Sequence, residues 1–324
     1  MELFKYDKPI NFMGWSRNFG ILSLVLVLLS WGLILTKGFN YGIDFAGGTL
    51  IQLRYDAPKA PLEKIRKDLA ANKAFENASV TYFGSENEVV IRTKSSSQAV
   101  GQDVGDEVRQ LLKDTGKFEV RRVDMVGPKI GGELKEKGLM AMLLAILGIL
   151  IYVSVRFEWR FALASVAALV HDVSIATGAI VLFNIEVNLD TLAAILTLLG
   201  YSLNDTIIVF DRIREGIRTI KDPDLAGIIN ESVTRTLSRT TLTSLTTFFV
   251  VLTLDLFGGE IIHGFAFTLM VGIIVGTYSS IFIASPLLMW LGFDVKAFRA
   301  KLAEKRKREK EKEKMRAMYE QGTL

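Results

Sequence analysis

Apolar residues in this chain gather into long uninterrupted runs, separated by short polar connections and by one long polar segment. The runs are approximately Phe19–Thr36, Gly138–Val155, Phe161–Phe183, Leu189–Phe210, Leu242–Phe257 and Phe265–Leu291. Most approach the ~20 residues that a helix needs to cross a bilayer. The fifth is short and rich in Thr at its start, so its helix is expected to begin further upstream. The first run is long and lacks a small-x-small cleavage site, which reads as an uncleaved span rather than a leader. The pattern predicts an N-terminal segment 1–17, a first span 18–36, a polar domain 37–137, five further spans within 138–291, and a charged tail 292–324.

The polar segment has its own periodicities. Gly48–Tyr55 alternates as a strand, and Leu62, Ile65 and Leu69 recur at helical spacing within 62–72. Ser79–Phe83 and Glu88–Thr93 flank a Gly84-Ser-Glu-Asn87 turn and read as a hairpin. Gln98–Lys113 places Val100, Val104 and Val108 on one helical face, and Phe118–Val126 closes as a strand. The order β-α-β-β-α-β predicts a ferredoxin-like α+β domain with one sheet face left open. Glycine-rich stretches, Gly42-Ile-Asp-Phe-Ala-Gly-Gly48 and Val126-Gly-Pro-Lys-Ile-Gly-Gly132, border it on both sides. Gly42, Gly47, Gly48, Gly127, Gly131 and Gly132 are candidate hinges; the alternative is a pair of glycine turns, with Asp44 as a cap. Leu225, Ile228, Ile229, Val233 and Leu237 predict an amphipathic helix near 224–238, lying on the membrane surface.

Charge fixes the orientation. Lys and Arg precede the first run (Lys5, Lys8, Arg17) and occupy the connection after the second (Arg156, Arg160), the connection after the fourth (Arg212, Arg214, Arg218, Lys221, Arg235) and the tail. The connections Asn184–Asn188 and Gly258–His263 carry none. Six spans with both termini in the cytoplasm satisfy this asymmetry, and the polar domain then lies outside. The tail mixes Lys, Arg and Glu and reads as a solvated, partly helical segment, with attraction to anionic lipid as a second reading. The chain has no cysteine, which excludes disulfides and thiolate chemistry. No phosphate-binding loop, zinc-protease motif or nucleophile elbow occurs, so no ATP hydrolysis, cofactor or nucleic-acid partner is expected.

Candidate chemistry lies inside the spans. Asp205, with Ser202, Asn204 and Tyr201 beside it, sits in the fourth run. An Asp at the centre of a span costs roughly 2.5–3.5 kcal/mol and usually marks an ion or proton path. Arg239, with Thr240 and Thr243, sits at the start of the fifth run, and its long side chain can reach Asp205 if the two helices pack face to face; otherwise it extends to lipid phosphate. His171 and Asp172 are adjacent in the third run. As neighbours they point in different directions, Asp172 towards Asp205 and His171 towards a carbonyl. Two histidines in the whole chain make a metal site a poor reading.

Together these stretches resemble the SecD/SecF family of bacterial protein-export membrane proteins, within the resistance-nodulation-division (RND) superfamily. The resemblance is carried by Gly42–Gly48, Val126–Gly131, Val170-His-Asp-Val173, Gly200-Tyr-Ser-Leu-Asn-Asp-Thr-Ile-Ile-Val-Phe-Asp-Arg-Ile-Arg-Glu215 and Ser238-Arg-Thr240. It implies an RND-type bundle of six helices in the bacterial inner membrane, with the ferredoxin-like domain in the periplasm. It also implies an accessory, non-enzymatic subunit that works with SecD, the SecYEG channel and YajC, and that uses the proton-motive force to help unfolded polypeptides emerge. Asp205 and Arg239 match the family's proton-relay positions; H+ is the expected coupling ion, with Na+ as the alternative. Two other readings remain at this stage: an independent exporter of small molecules or lipids, and an intramembrane aspartyl protease using Asp172 and Asp205, although no Gly-x-Gly-Asp motif surrounds either.

Overall fold

The structure, a computed structural model, describes residues 8–76, 78–93, 104–222 and 224–320. The first span, α1 (Phe12–Lys37), starts where the Asn11 side chain accepts the Gly14 N–H and stops at Gly38, whose φ of 71° the helix cannot continue. A short strand β1 (Asn40–Tyr41) and a single helical turn α2 (Ile43–Ala46) lead into the polar domain. There β2 (Gly48–Tyr55), α3 (Leu62–Ala70), β3 (Ser79–Phe83), β4 (Ser85–Thr93), α4 (Val104–Leu111) and β5 (Phe118–Val126) follow in the order read from the sequence. The N-terminal part of the expected helix, Gln98 to Asp103, lies outside the described residues.

The strands lie in the order β3-β4-β2-β5, every neighbour antiparallel, which is the ferredoxin-like arrangement. Alternation explains the layering. Ile51, Leu53, Tyr55, Val89 and Ile91 point to one face and bury against Ile65 and Leu69 of α3 and Val108 and Leu112, the latter just after α4. Gln52, Thr81, Arg92 and Arg122 point the other way, towards a cleft above the ends of the membrane helices. The open face inferred from the sequence therefore looks onto this chain's own bundle.

The remaining spans are α5 (Pro128–Arg156), α6 (Trp159–Leu182), α7 (Leu189–Thr219), α8 (Leu225–Phe257) and α9 (Glu260–Ser279), which runs on through a π-helical turn, Ser280–Ala284, into α10 (Ser285–Trp290). Between α6 and α7, β6 (Glu186–Val187) pairs in parallel with β1. With α9–α10 counted as one span, six helices are long and apolar enough to cross a bilayer. Spans 3, 4 and 6 form the centre of the bundle; spans 1, 2 and 5 are its more exposed members. The π turn has a local cause. Pro286 has no N–H to return to the preceding turn, and the chain accommodates the gap by widening the helix. Ser280 and Ser285 donate to the Thr277 and Ser280 carbonyls across the widened stretch.

Two sequence expectations change here. The segment 224–238 is not a separate helix on the membrane surface; it is the beginning of α8, continuous with span 5. Its apolar face, Leu225, Ile228, Ile229 and Val233, is buried in the same core as Phe210, Ile213 and Ile217 of α7, so protein rather than lipid covers it. The glycine motifs meet closely at two positions. A Cβ on Gly47 would lie 2.7 Å from the Pro128 Cα, and one on Gly131 would lie 3.0 Å from the Phe45 carbonyl oxygen. The two motifs are packed backbone to backbone. Asp44 caps, as anticipated, but its target is distant: its carboxylate accepts the N–H of Leu189 at the start of span 4, at 3.0 Å. Gly127 and Gly132 have open space where a Cβ would be.

The tail forms α11 (Val295–Glu320). Arg299 donates to the Ile217, Ile220 and Asp222 carbonyls and so closes the C-terminal end of span 4. Beyond Leu302 the described residues of this helix are exposed.

Candidate functional site

Span 4 carries polar groups on two sides. Inward, Ser202 and Asp205 lie one turn apart and are fully buried, with Asp205 1% exposed. The Ser244 hydroxyl of span 5 donates to Asp205 Oδ2 at 3.1 Å. Thr277 of span 6 lies 3.4 Å from the same oxygen, but it also lies 2.8 Å from Ser244 Oγ and 2.8 Å from its own helix's Ile273 carbonyl. Its single proton serves one of these three at a time. Asp205 Oδ1 is buried and has no hydrogen-bond partner. The result is a carboxyl between three spans with one oxygen hydrogen-bonded and one bare.

Asp172 occupies a second, better satisfied station between spans 3, 4 and 6. Ser202 and Ser279 donate to its Oδ2, the latter at 2.8 Å. His171 Nδ1 lies 2.8 Å from its Oδ1. The sequence expectation that adjacent residues would not converge is therefore corrected: His171 turns to the carboxylate of its own neighbour. Its ring stacks on Tyr278, with centroids 6.1 Å apart, while Nε2 is buried without a partner. Tyr278 in turn donates to the Phe19 carbonyl at 2.7 Å and meets Ser23 of span 1 at 2.8 Å. Asp172 does not touch Asp205. The two are connected through shared helices, by Ser202 and Asp205 on span 4 and by Thr277 and Ser279 on span 6. A missing side chain permits this closeness: a Cβ on Gly276 would stand 3.1 Å from Ser202 Cβ.

Arg239 is not paired with Asp205. It is exposed, and no hydrogen bond or ion pair joins the two. Helix geometry gives the reason. Ser244 marks the face of α8 turned to Asp205, and that face continues upstream through buried Thr240 and Thr236. Arg239 lies five residues before Ser244, which at ~100° per residue points it about 140° away. Thr243 is exposed, and its hydroxyl bonds back to the Arg239 and Thr240 carbonyls. Asn204 is exposed, and the Tyr201 hydroxyl is buried without a partner.

The outward side of span 4 is unusual for a lipid-facing surface. Ala193, Thr197, Gly200 and Asn204 are all exposed and follow one another at helical spacing. Small and polar residues in such a stripe suit the close approach of another helix, whereas lipid cannot satisfy an amide.

Ser244, Thr277, Ser279 and Tyr278 were not singled out from the sequence. The signal was present only as an excess of hydroxyls in spans 5 and 6. It is weak because most such hydroxyls bond their own helix, as Thr246, Thr253 and Thr268 do.

Comparison with known proteins gives a consistent result. The family model described as protein export membrane protein SecD/SecF, C-terminal, matches residues 106–294, and the SecD/SecF GG motif matches residues 32–59. The protein translocase subunit SecF of Helicobacter pylori (strain J99) is 49% identical over 322 residues, covering 99% of each chain. That of Vibrio alginolyticus is 46% identical over 306 residues, 94% of this chain and 96% of the other. Among solved structures, the crystal structure of SecDF, a translocon-associated membrane protein from Thermus thermophilus, superposes with a TM-score of 0.80 at 39% identity. The match covers 89% of this chain and 39% of that one. SecDF in its super-membrane-facing form gives a TM-score of 0.66 at 37% identity, covering 94% of this chain and 41% of that one. This chain thus spans about two fifths of the length of these SecDF chains.

Proposed function

Because the chain belongs to the SecF branch of the SecD/SecF protein-export family, we propose that it is one half of an ion-driven accessory unit of the Sec translocase. The other half is a SecD partner, and the unit draws on the proton-motive force to promote late steps of polypeptide export across the bacterial inner membrane. The observation that carries this reading is the two-sidedness of span 4. A buried carboxyl with a bare oxygen lies on its inner side, and an exposed stripe of small and polar residues, Ala193, Thr197, Gly200 and Asn204, runs along its outer side. The first can accept a proton or a small cation. The second awaits a helix from another polypeptide.

In this reading the ferredoxin-like domain is periplasmic and both termini are cytoplasmic. The basic residues support that orientation. Arg156, Arg212, Arg214, Arg218 and Arg299 all lie at the end of the bundle opposite the domain, where Arg214 donates to the Arg156 carbonyl. Asp205 is the group that loads and unloads the ion. Arg239 is its movable counter-charge, displaced from it here and brought closer by rotation of span 5 or by the partner's helices. The polypeptide in transit, the SecYEG channel and YajC are the further partners of the assembly, H+ is the coupling ion, and no cofactor takes part.

The test is Asp205→Asn in inverted membranes or proteoliposomes that contain SecYEG and SecD. The amide keeps the shape and cannot cycle a proton. The variant should assemble normally and lose the gain in export that the gradient brings, while export without a gradient is unchanged. Collapsing the proton and sodium gradients separately identifies the ion. A full gradient-dependent gain in assembled Asp205→Asn complexes overturns the reading.

A further inference from the structure

The cleft between the open sheet face and the outer ends of the spans is bridged at one point by charge. Arg92, near the end of the central strand β4, places Nη2 2.8 Å from Oε2 of Glu186 on β6. Among the described residues this is the one ion pair between the sheet and the membrane helices or their connections. It is half-buried, with 29% and 23% of the two side chains exposed. Both partners are prepared for it. Arg92 is held from its own sheet by Thr81, at 3.4 Å. Glu186 lies across Gly42: an added Cβ would stand 2.4 Å from Glu186 Oε1, so a side chain there would require the carboxylate to swing out of its place. The φ of Gly42 is −72°, which any residue adopts, so what a side chain there would disturb is the placement of the Glu186 carboxylate and not the turn.

Glu186 is also tied to span 4. It stands three residues before Leu189, where α7 begins, and the same short stretch is bonded to the domain's entry segment on both sides. The Gly42 N–H donates to the Val187 carbonyl at 2.9 Å, and the Leu189 N–H donates to Asp44 at 3.0 Å. Span 4 then runs, as one unbroken helix, to Ser202 and Asp205.

We propose that Arg92 and Glu186 are positioning residues, a strut across the cleft that couples the attitude of the inserted domain to the outer end of span 4 and so to Asp205. The proposal rests on the ion-driven reading above and deepens it. The strut is suited to being made and broken. Burial pushes the Glu186 carboxyl above its ordinary range, the Arg92 guanidinium pulls it down, and Asp44 pushes it up again. Desolvation and attraction oppose each other, and such a pair is released at small net cost. The cleft's other charged groups, Arg122 and Asp124 on β5, Asp190 on α7, and Glu260 and His263 on α9, make no ion pair across it.

Two measurements test the strut. The first does not involve export. The chain lacks cysteine, so Lys67→Cys on α3 and Phe257→Cys at the outer end of span 5 give a unique pair for nitroxide labels in the complex with a cysteine-free SecD. The distance distribution should be narrow in the otherwise unaltered chain and broaden or gain a second component in Glu186→Gln, and likewise in Gly42→Ala. It should stay unchanged in Asp190→Asn, a control acid in the same cleft. The second is gradient-dependent export. Glu186→Gln and Arg92→Gln should each lower the gain about fivefold, the factor that accompanies ~1 kcal/mol. Arg92→Glu combined with Glu186→Lys should recover most of what either loses alone. Unchanged distances in Glu186→Gln, or a full gain in both single variants, overturn the strut. Absence of any gradient-dependent gain in the unaltered complex would instead count against the ion-driven reading itself.

Discussion

Whether the domain's attachment is a packed seat or a loose hinge can be decided at Gly47. Its φ of 72° and ψ of 164° lie in a region that is essentially reserved for glycine. Placing alanine there costs about 1–3 kcal/mol in backbone strain. The methyl group would also stand 2.7 Å from the Cα and 3.0 Å from the N of Pro128. Both are backbone atoms at the first residue of span 2, so relief requires that helix to move, at about 1–3 kcal/mol for overpacking. The sum is about 2–6 kcal/mol. Gly132→Ala is the matched control. It lies on the facing glycine-rich stretch, four residues after Pro128, its Cβ meets nothing within 4 Å, and it is helical, so it should stabilise by up to ~1 kcal/mol. The assay is thermal unfolding of the two purified variants in one detergent, with limited proteolysis at the junction. Gly47→Ala should unfold several degrees below the parent and be cleaved faster near residues 38–48 or 126–132. Equal thermal stability and equal cleavage of the two variants would refute the packed seat and restore the hinge.

Gly200→Leu places a side chain on the exposed stripe of span 4 where nothing lies within 4 Å. It should leave the thermal stability of the isolated chain unchanged or slightly higher, while SecD no longer co-purifies. Asp172→Ala strips the acceptor from Ser202, Ser279 and His171 and should cost about 1–3 kcal/mol. Asp172→Asn retains an acceptor and should stay within ~1 kcal/mol of the parent in the same melt. Arg299→Ala leaves three carbonyls at the end of span 4 without their donor and should lower the melting temperature. Truncation after residue 304 removes a stretch whose described side chains are exposed and should not.

Much of this architecture is written in the order of residues. Six spans follow from the length of the apolar runs, and the domain's β-α-β-β-α-β order follows from alternation and helical spacing. Burial of Asp205 followed from the cost of a carboxylate in lipid. What could not be read were relations that depend on angle. The chain shows that Arg239 and Asp205 belong to neighbouring antiparallel spans. It does not show that Ser244, about 140° around the helix from Arg239, is the residue that faces the carboxyl. The start of span 5 was hidden for a different reason. Thr, Ser and Arg between residues 230 and 240 depress hydropathy, although Ser232, Thr236 and Thr240 are buried against protein. Glycine motifs are ambiguous in sequence because a turn, a hinge and a close backbone contact all select the same residue. Only the position of Pro128 and Phe45 separates them.

The continuity of α8 gives it a mechanical property that two separate helices would lack. From Ser244, beside Asp205, back to Leu225 is about 28 Å at ~1.5 Å per residue. This arm is rigid, and its base is fastened to the beginning of span 1, where Asn230 accepts the Met13 N–H and Thr234 accepts the Ile10 N–H, each at 2.9 Å. A tilt of about 5° pivoting at the hydroxyl cluster would sweep Leu225 through ~2.5 Å, Asn230 through ~1.8 Å and Thr234 through ~1.3 Å, movements large enough to stretch both bonds beyond hydrogen-bond length. A small movement at the hydroxyl cluster, deep in the bundle, is thereby geared to a larger displacement at the far end of the arm.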